Sequence, residues 1–317
     1  MPMTINRAKG RVAAVLAAFA LVLPAGCSGG GSDAAAATPS ATSVERDLAG
    51  YDLFVLGSAE HNPLSADVYG IRFNPFVVER ITTNKRVSSL GADDGHVVVA
   101  AGDEDIDKLA QVTAAGDLEP IPGLGRPHAF SPSVRAGVMY FDDSEGDQAS
   151  GANRYFAWDL NKQSKTLLFT TKDELGSGAP TDSGGLLLGK AGKGGQDDLL
   201  IRSASGKTST FAMHATVGNY AIGRDYVAAN SVAGDGGSSK TTGVILLDPK
   251  TGKTKQVPGL AVICWSPDGT KLLARSTASE TDSQLVLLDP TKPNAPQTLQ
   301  TVPNLAIYDG VWVRGSA

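Results

Sequence analysis

Cysteine is nearly absent: Cys27 and Cys264 are the only two in 317 residues. That excludes a fold stapled by several disulfides and leaves stability to packing. The four histidines, His61, His96, His128 and His214, show none of the spacings of a zinc site. Positive charge is also scarce. The formal net charge is −5, which argues against nucleic acid or an anionic lipid surface as a partner held by simple charge attraction. No Gly-x-Ser-x-Gly elbow, His-Glu-x-x-His pair or phosphate-binding glycine loop occurs, so no hydrolase, metalloprotease or nucleotide site can be read from a motif. Nor does any segment carry the apolar period of an amphipathic helix. What remains is a chain with 41% hydrophobic residues, long enough to bury a large core.

The amino terminus carries an apolar run, Val12 to Leu23, behind Arg7, Lys9 and Arg11. It is shorter than the roughly 20 residues of a bilayer-spanning helix, and its basic flank and small-residue ending fit an export signal. Leu23-Pro24-Ala25-Gly26-Cys27 resembles the bacterial lipobox, with Pro24 where that motif usually has leucine. The resemblance implies a signal peptide over 1–26 and a lipoprotein whose Cys27 carries acyl chains such as palmitate. It places the protein on the extracytoplasmic face of the cell membrane. Residues 27–48 begin Cys27-Ser28-Gly29-Gly30-Gly31-Ser32 and contain few large apolar side chains, so they cannot bury enough surface to fold. A flexible coil of this length reaches about 25 Å, enough to hold a domain just off a membrane. With Cys27 acylated, Cys264 has no partner. Its place in Ala261-Val262-Ile263-Cys264-Trp265 reads as a buried, inert thiol.

Residues 49–317 repeat with a period of about 40 to 46, the spacing of a propeller blade. The clearest copies run from Gly243 through Asp248 to Leu260 and from Gln284 through Asp289 to Leu305, each a strand, a polar turn and a second strand. Weaker copies turn at Phe73, Thr113, Asp159 and Ser203. Ahead of each lies a hairpin, as at Val262 to Arg275 around Pro267-Asp268-Gly269, or at Asp94-Gly95 and Gly184-Gly185. Four strands per unit predict an all-β fold, a six-bladed β-propeller, with seven blades as the alternative. The ends complete one blade between them: Asp309 to Gly315 matches only a first strand and Gly50 to Gly57 only a second. Pairing of the C-terminal strand with the N-terminal ones would close the ring and remove a free edge.

Trp265-Ser266-Pro267-Asp268-Gly269 entering an apolar strand resembles the TolB-type propeller repeat, and Phe130-Ser131-Pro132 matches it in part, aligned on the same turn. That resemblance implies the fold of the whole mature domain. Propellers of this type serve as periplasmic interaction platforms, as domains of peptidases and as enzymes, so the fold does not settle the activity.

In a four-stranded blade the loop between the second and third strands opens on the same face as the connector to the next blade. The long polar loops fall there, which points to that face for binding. Arg126 and His128, before an innermost strand, are candidate binding residues, against the plainer reading of His128 as structural. Asp142, Asp143, Glu145 and Asp147 form an acidic cluster whose oxygens would suit a divalent cation such as calcium, or a solvated loop. Asp103, Asp105 and Asp107 alternate like the start of a calcium loop but lack its Gly and Glu. No other cofactor is expected, and the metal, if any, is left open. The sequence thus predicts a non-catalytic, lipid-anchored module that binds an envelope protein, a peptide or a glycan. The alternative is a metal-assisted propeller enzyme of the lactonase, lyase or sugar dehydrogenase kind.

Overall fold

Strands that are apolar on both faces must be covered on both, and the architecture follows from that need. The computed structural model describes residues 46–93, 95–102, 108–125, 129–143, 152–173, 175–176, 178–192, 196–234 and 240–313. They form six four-stranded antiparallel sheets. The first holds β1 (Leu53–Ser58), β2 (Asp67–Phe73) and β3 (Phe76–Arg80). The second holds β4 (Val87–Asp93), β5 (His96–Ala101), β6 (Lys108–Val112) and β7 (Leu118–Glu119). The third runs β8 (Ala129–Arg135), β9 (Val138–Asp143), β10 (Asn153–Asp159) and β11 (Ser164–Thr171). The fourth runs β12 (Ala179–Pro180), β13 (Leu186–Ala191), β14 (Asp197–Arg202) and β15 (Thr208–Ala212). In the fifth are β16 (Thr216–Ile222), β17 (Val227–Ala233), β18 (Lys240–Asp248) and β19 (Lys253–Pro258). In the sixth are β20 (Leu260–Trp265), β21 (Leu272–Ser276), β22 (Ser283–Leu288) and β23 (Gln297–Val302). Finally β24 (Ala306–Trp312) returns to the first sheet and pairs with β1.

The chain is therefore a six-bladed β-propeller, and the seven-blade alternative falls. Closure has the expected form: Leu53 pairs with Trp312, Phe54 with Val311 and Val55 with Gly310. The innermost strands β24, β4, β8, β12, β16 and β20 touch in succession and return to β24.

Apolar contacts sit between the blades. Alternate residues of one strand serve opposite neighbours, as the two-residue period of a strand requires. Val97 and Val99 of β5 pack with Phe54, Leu56 and Val68 of the first blade, whereas Val98 and Ala100 pack with Met139, Phe141 and Trp158 of the third. The last interface joins Ile263, Leu273 and Leu285 of the sixth blade to Leu53, Val55, Ile71 and Trp312 of the first. Ahead of β1, Arg46 Nε and the Tyr51 hydroxyl both donate to the Glu79 carboxylate, at 2.7 and 2.6 Å, fastening the start of the domain to β3.

The turn chemistry is equally local. Asp248 accepts from the backbone N–H of Lys250 and Thr251, and Asp289 from that of Thr291. Asp159 accepts from Asn161 and Lys162 N–H in the same way. Such Asx turns explain why aspartate recurs where the third strand hands over to the fourth. In the Trp265 turn, Asp268 accepts from Ser266 Oγ, Thr270 N–H and Thr270 Oγ1, and Gly269 takes a φ of +68°, which disfavours a side chain. The Trp265 indole donates to Ala221 O at 3.0 Å, docking the turn on the fifth blade.

One alignment is overturned. Phe130-Ser131-Pro132 does not occupy the matching turn of the third blade but lies inside β8, and the turn comes later, at Ala136-Gly137. The register shifts between Phe130 and Ser133, and Ser131 has a φ of +43°. Proline has no N–H to give to a ladder, so a bulge is where an inner strand can hold one.

Gly310 marks a tight point of closure, because a Cβ there would lie 2.8 Å from Ile263 Cγ2 and 2.9 Å from Phe54 O. Gly310→Val is expected to destabilise the domain by about 1–3 kcal/mol through overpacking, measured by denaturant unfolding. Unchanged stability would contradict the packing of β24 against both neighbours.

Candidate functional site

Because only first strands line the axis, the centre of the ring is built from short, less apolar segments. A cavity of about 660 Å³ lies there, walled by all six inner strands. Asp93 of β4, Ser133 of β8, Ala179 of β12, Tyr220 of β16, Cys264 of β20 and Asp309 of β24 represent the six contributions. The wall continues onto the turns that end these strands, through Arg135, Asp182, Arg224 and Asp268.

Four carboxylates belong to this wall, and their surroundings differ. Asp93 pairs with His96 Nδ1 at 3.0 Å and accepts from Gly137 N–H at 2.5 Å. Asp182 is paired with Arg135. Asp268 is held by Ser266 and Thr270, and its hydrogen bond from Ser266 is the leading cause of a carboxyl acidity stronger than usual. Asp309 accepts from the N–H of Gly310, its own chain neighbour, at 2.8 Å. Desolvation pushes its carboxyl up to about 7. It keeps part of its surface open, and that surface belongs to the cavity wall, so openness and desolvation are compatible. Beside it the Cys264 thiol is pushed well above its ordinary range, by burial first and by the charge of Asp309 second, consistent with an inert thiol.

Tyr220 closes one side of the cavity. Its hydroxyl accepts from Gly189 N–H at 2.9 Å, and burial pushes it up to about 12. Gly176 and Gly189 leave room for the ring, since a Cβ on either would come within 3.2 Å of it.

The residues singled out from sequence fall elsewhere. Arg126, His128, Glu145 and Asp147 lie outside the described residues, as do Asp103, Asp105 and Asp107. Asp142 and Asp143 end β9, opposite Tyr155 and Arg154 of β10, and Asp142 is not part of the cavity wall. The charge of Asp142 acts instead on the buried Tyr155 and the partly buried Tyr220, adding to the desolvation that raises both hydroxyls. Among the described residues no three His, Cys, Asp or Glu side chains gather as metal ligands. Sequence reasoning passed over Asp309. Its signal was a carboxylate between Ile307 and Val311, inside a strand that must line the axis.

No known family model matches the chain, and no curated protein sequence matches it. Solved structures do. TolB from Acinetobacter baumannii superposes with a TM-score of 0.56 at 13% identity, covering 81% of this chain and 66% of that one. This chain therefore spans slightly less than two thirds of that protein. A putative TolB from Agrobacterium tumefaciens gives 0.53 at 10% identity, over 83% and 99% of the two chains. A chain of a nidogen/laminin complex gives 0.55 at 12% identity, over 81% and 97%. At such identities the likeness is one of fold alone, the β-propeller.

The raised pKa of Asp309 has a definite sign for stability. The folded protein keeps this proton up to about pH 7, whereas the unfolded chain loses it near the ordinary value of 3.8. Asp309 therefore lowers stability as pH rises between those values, with no further change above, by an amount on the order of 1–4 kcal/mol. Asp309→Asn is expected to remove that decline and to melt above the wild type at about pH 8. Parallel melting curves against pH would contradict the burial of this carboxyl.

Proposed function

We propose that this chain is an extracytoplasmic, lipid-anchored propeller that acts as a non-catalytic binding module for another envelope protein, a peptide or a glycan. The observation that carries the reading is the axial cavity, to which all six blades contribute and in which three of four carboxylates are held by structural partners. Fixed walls of this kind present a preformed concave surface, the usual form of a ligand site. The Leu23 to Cys27 segment and the Ser/Gly-rich stretch after it support attachment to a membrane through Cys27. Among the described residues no helix is long and apolar enough to cross one. The fold shared with TolB proteins and with a chain of a nidogen/laminin complex supports a binding role.

A version beginning at Val44, used as bait on solubilised envelope membranes, is expected to retain a specific protein or glycan. Retention of nothing above a control propeller would count against the reading. Cys27→Ser is expected to move the full-length protein from the membrane to the soluble fraction, because stable anchoring needs more than one acyl chain and that variant carries none. A variant still held by membranes after washing without detergent would mean that lipid on Cys27 is not the anchor.

A further inference from the structure

We propose that Asp309 anchors an organic ammonium ion that enters the axial cavity, an inference that rests on reading the cavity as a ligand site. The argument begins with the contrast among the four wall carboxylates. Asp93 meets His96 and the N–H of Gly137, Asp182 is paired with Arg135, and Asp268 is held by the hydroxyls of Ser266 and Thr270 in its own turn, so each has a side-chain donor. Asp309 is held by the N–H of its neighbour Gly310, and among the described residues no cationic side chain contributes to its electrostatics. The two arginines of the wall do not change this: Arg135 is committed to Asp182, and Arg224 stands exposed on the turn after β16.

A second unmet polar group lies on the adjacent inner strand. Ser89 of β4 is nine-tenths buried and lines the same cavity, and its hydroxyl has no hydrogen-bond partner among the described residues. An ammonium group supplies up to three donors and a full positive charge, which answers a carboxylate and a hydroxyl together. A hydrogen bond between ionised partners is about twice as strong as a neutral one.

The rest of the wall selects the body of the ligand. Leu90, Ile263, Val311 and Trp312 line the same cavity as Asp309, apolar company suited to an alkyl or aryl group. A carboxylate or phosphate would meet like charge here. A divalent cation would ask for six or more oxygen ligands, and the described residues gather no such set. As the ammonium arrives, the Asp309 carboxyl ionises and its proton passes to the buffer, so no other reactant is required.

Benzylammonium, benzyl alcohol and benzoate share a ring and differ in charge, and they test the idea by calorimetric titration of the full-length protein in detergent near pH 7. Benzylammonium is expected to bind at least about ten-fold more tightly than benzyl alcohol, with proton release seen as a heat that depends on the buffer. Asp309→Asn is expected to erase that preference. Equal affinity for benzylammonium and benzyl alcohol, unchanged benzylammonium binding by Asp309→Asn, or no benzylammonium binding at all would overturn the proposal. Should the variant fail to fold, the three probes on the wild type decide alone. A retained envelope partner together with no charge preference would sink the ammonium site and leave the binding-module reading intact. The converse pair of results would do the reverse.

Discussion

Burial of both faces of each blade is the constraint on which the rest of this structure depends. A sheet with Val97 and Val99 on one side and Val98 and Ala100 on the other cannot rest against a single neighbour without leaving an apolar face in water. A linear stack would only move the problem to its two ends. A ring removes both ends, provided the final interface is as well packed as the others. Here that interface is made by Ile263, Leu273 and Leu285 against Leu53, Val55, Ile71 and Trp312. Pairing of β24 with β1 adds the hydrogen-bonded closure, and satisfies an edge that would otherwise invite another strand.

The same constraint decides where chemistry can reside. Middle strands are used up by packing, and outer strands such as β11 and β19 face water along most of their length. Inner strands meet neither demand, so they can carry serine, glycine and aspartate. The cavity they enclose is therefore a place where residues from all six blades converge. Along its wall, glycines such as Gly176 and Gly310 mark where a neighbouring side chain or strand comes close. Among the described residues Asp309 differs from the other wall carboxylates in having no side-chain donor, only the N–H of its neighbour Gly310, and that difference gives the cavity a chemical preference.

Much of the architecture was legible because its causes are local. The aspartates at 159, 248 and 289 recur because each builds an Asx turn from its own next residues. The last and first strands could be matched because each lacked the partner that the repeat demands. The third blade was read less well. Phe130-Ser131-Pro132 copies the letters of the Trp265 turn but sits in a bulged inner strand, since without the Asp268 and Gly269 equivalents those letters do not close a turn. Of the binding residues chosen from sequence, Arg126 and His128 ahead of an inner strand and Glu145 and Asp147 in a polar loop lie outside the described residues. The cavity wall drew instead on strand ends and first-hairpin turns.

By itself the sequence determined the four-strand unit and the manner of closure and left the count at six blades or seven, because periodicity and turn chemistry act over a few residues and need no knowledge of neighbours. Only the tertiary structure decided that Asp309 shares a cavity with Ser89, beside Cys264 and far in sequence from Asp93. Convergence at the axis is set by the packing of six blades at once, and no local pattern in the chain encodes which side chains arrive there without a partner.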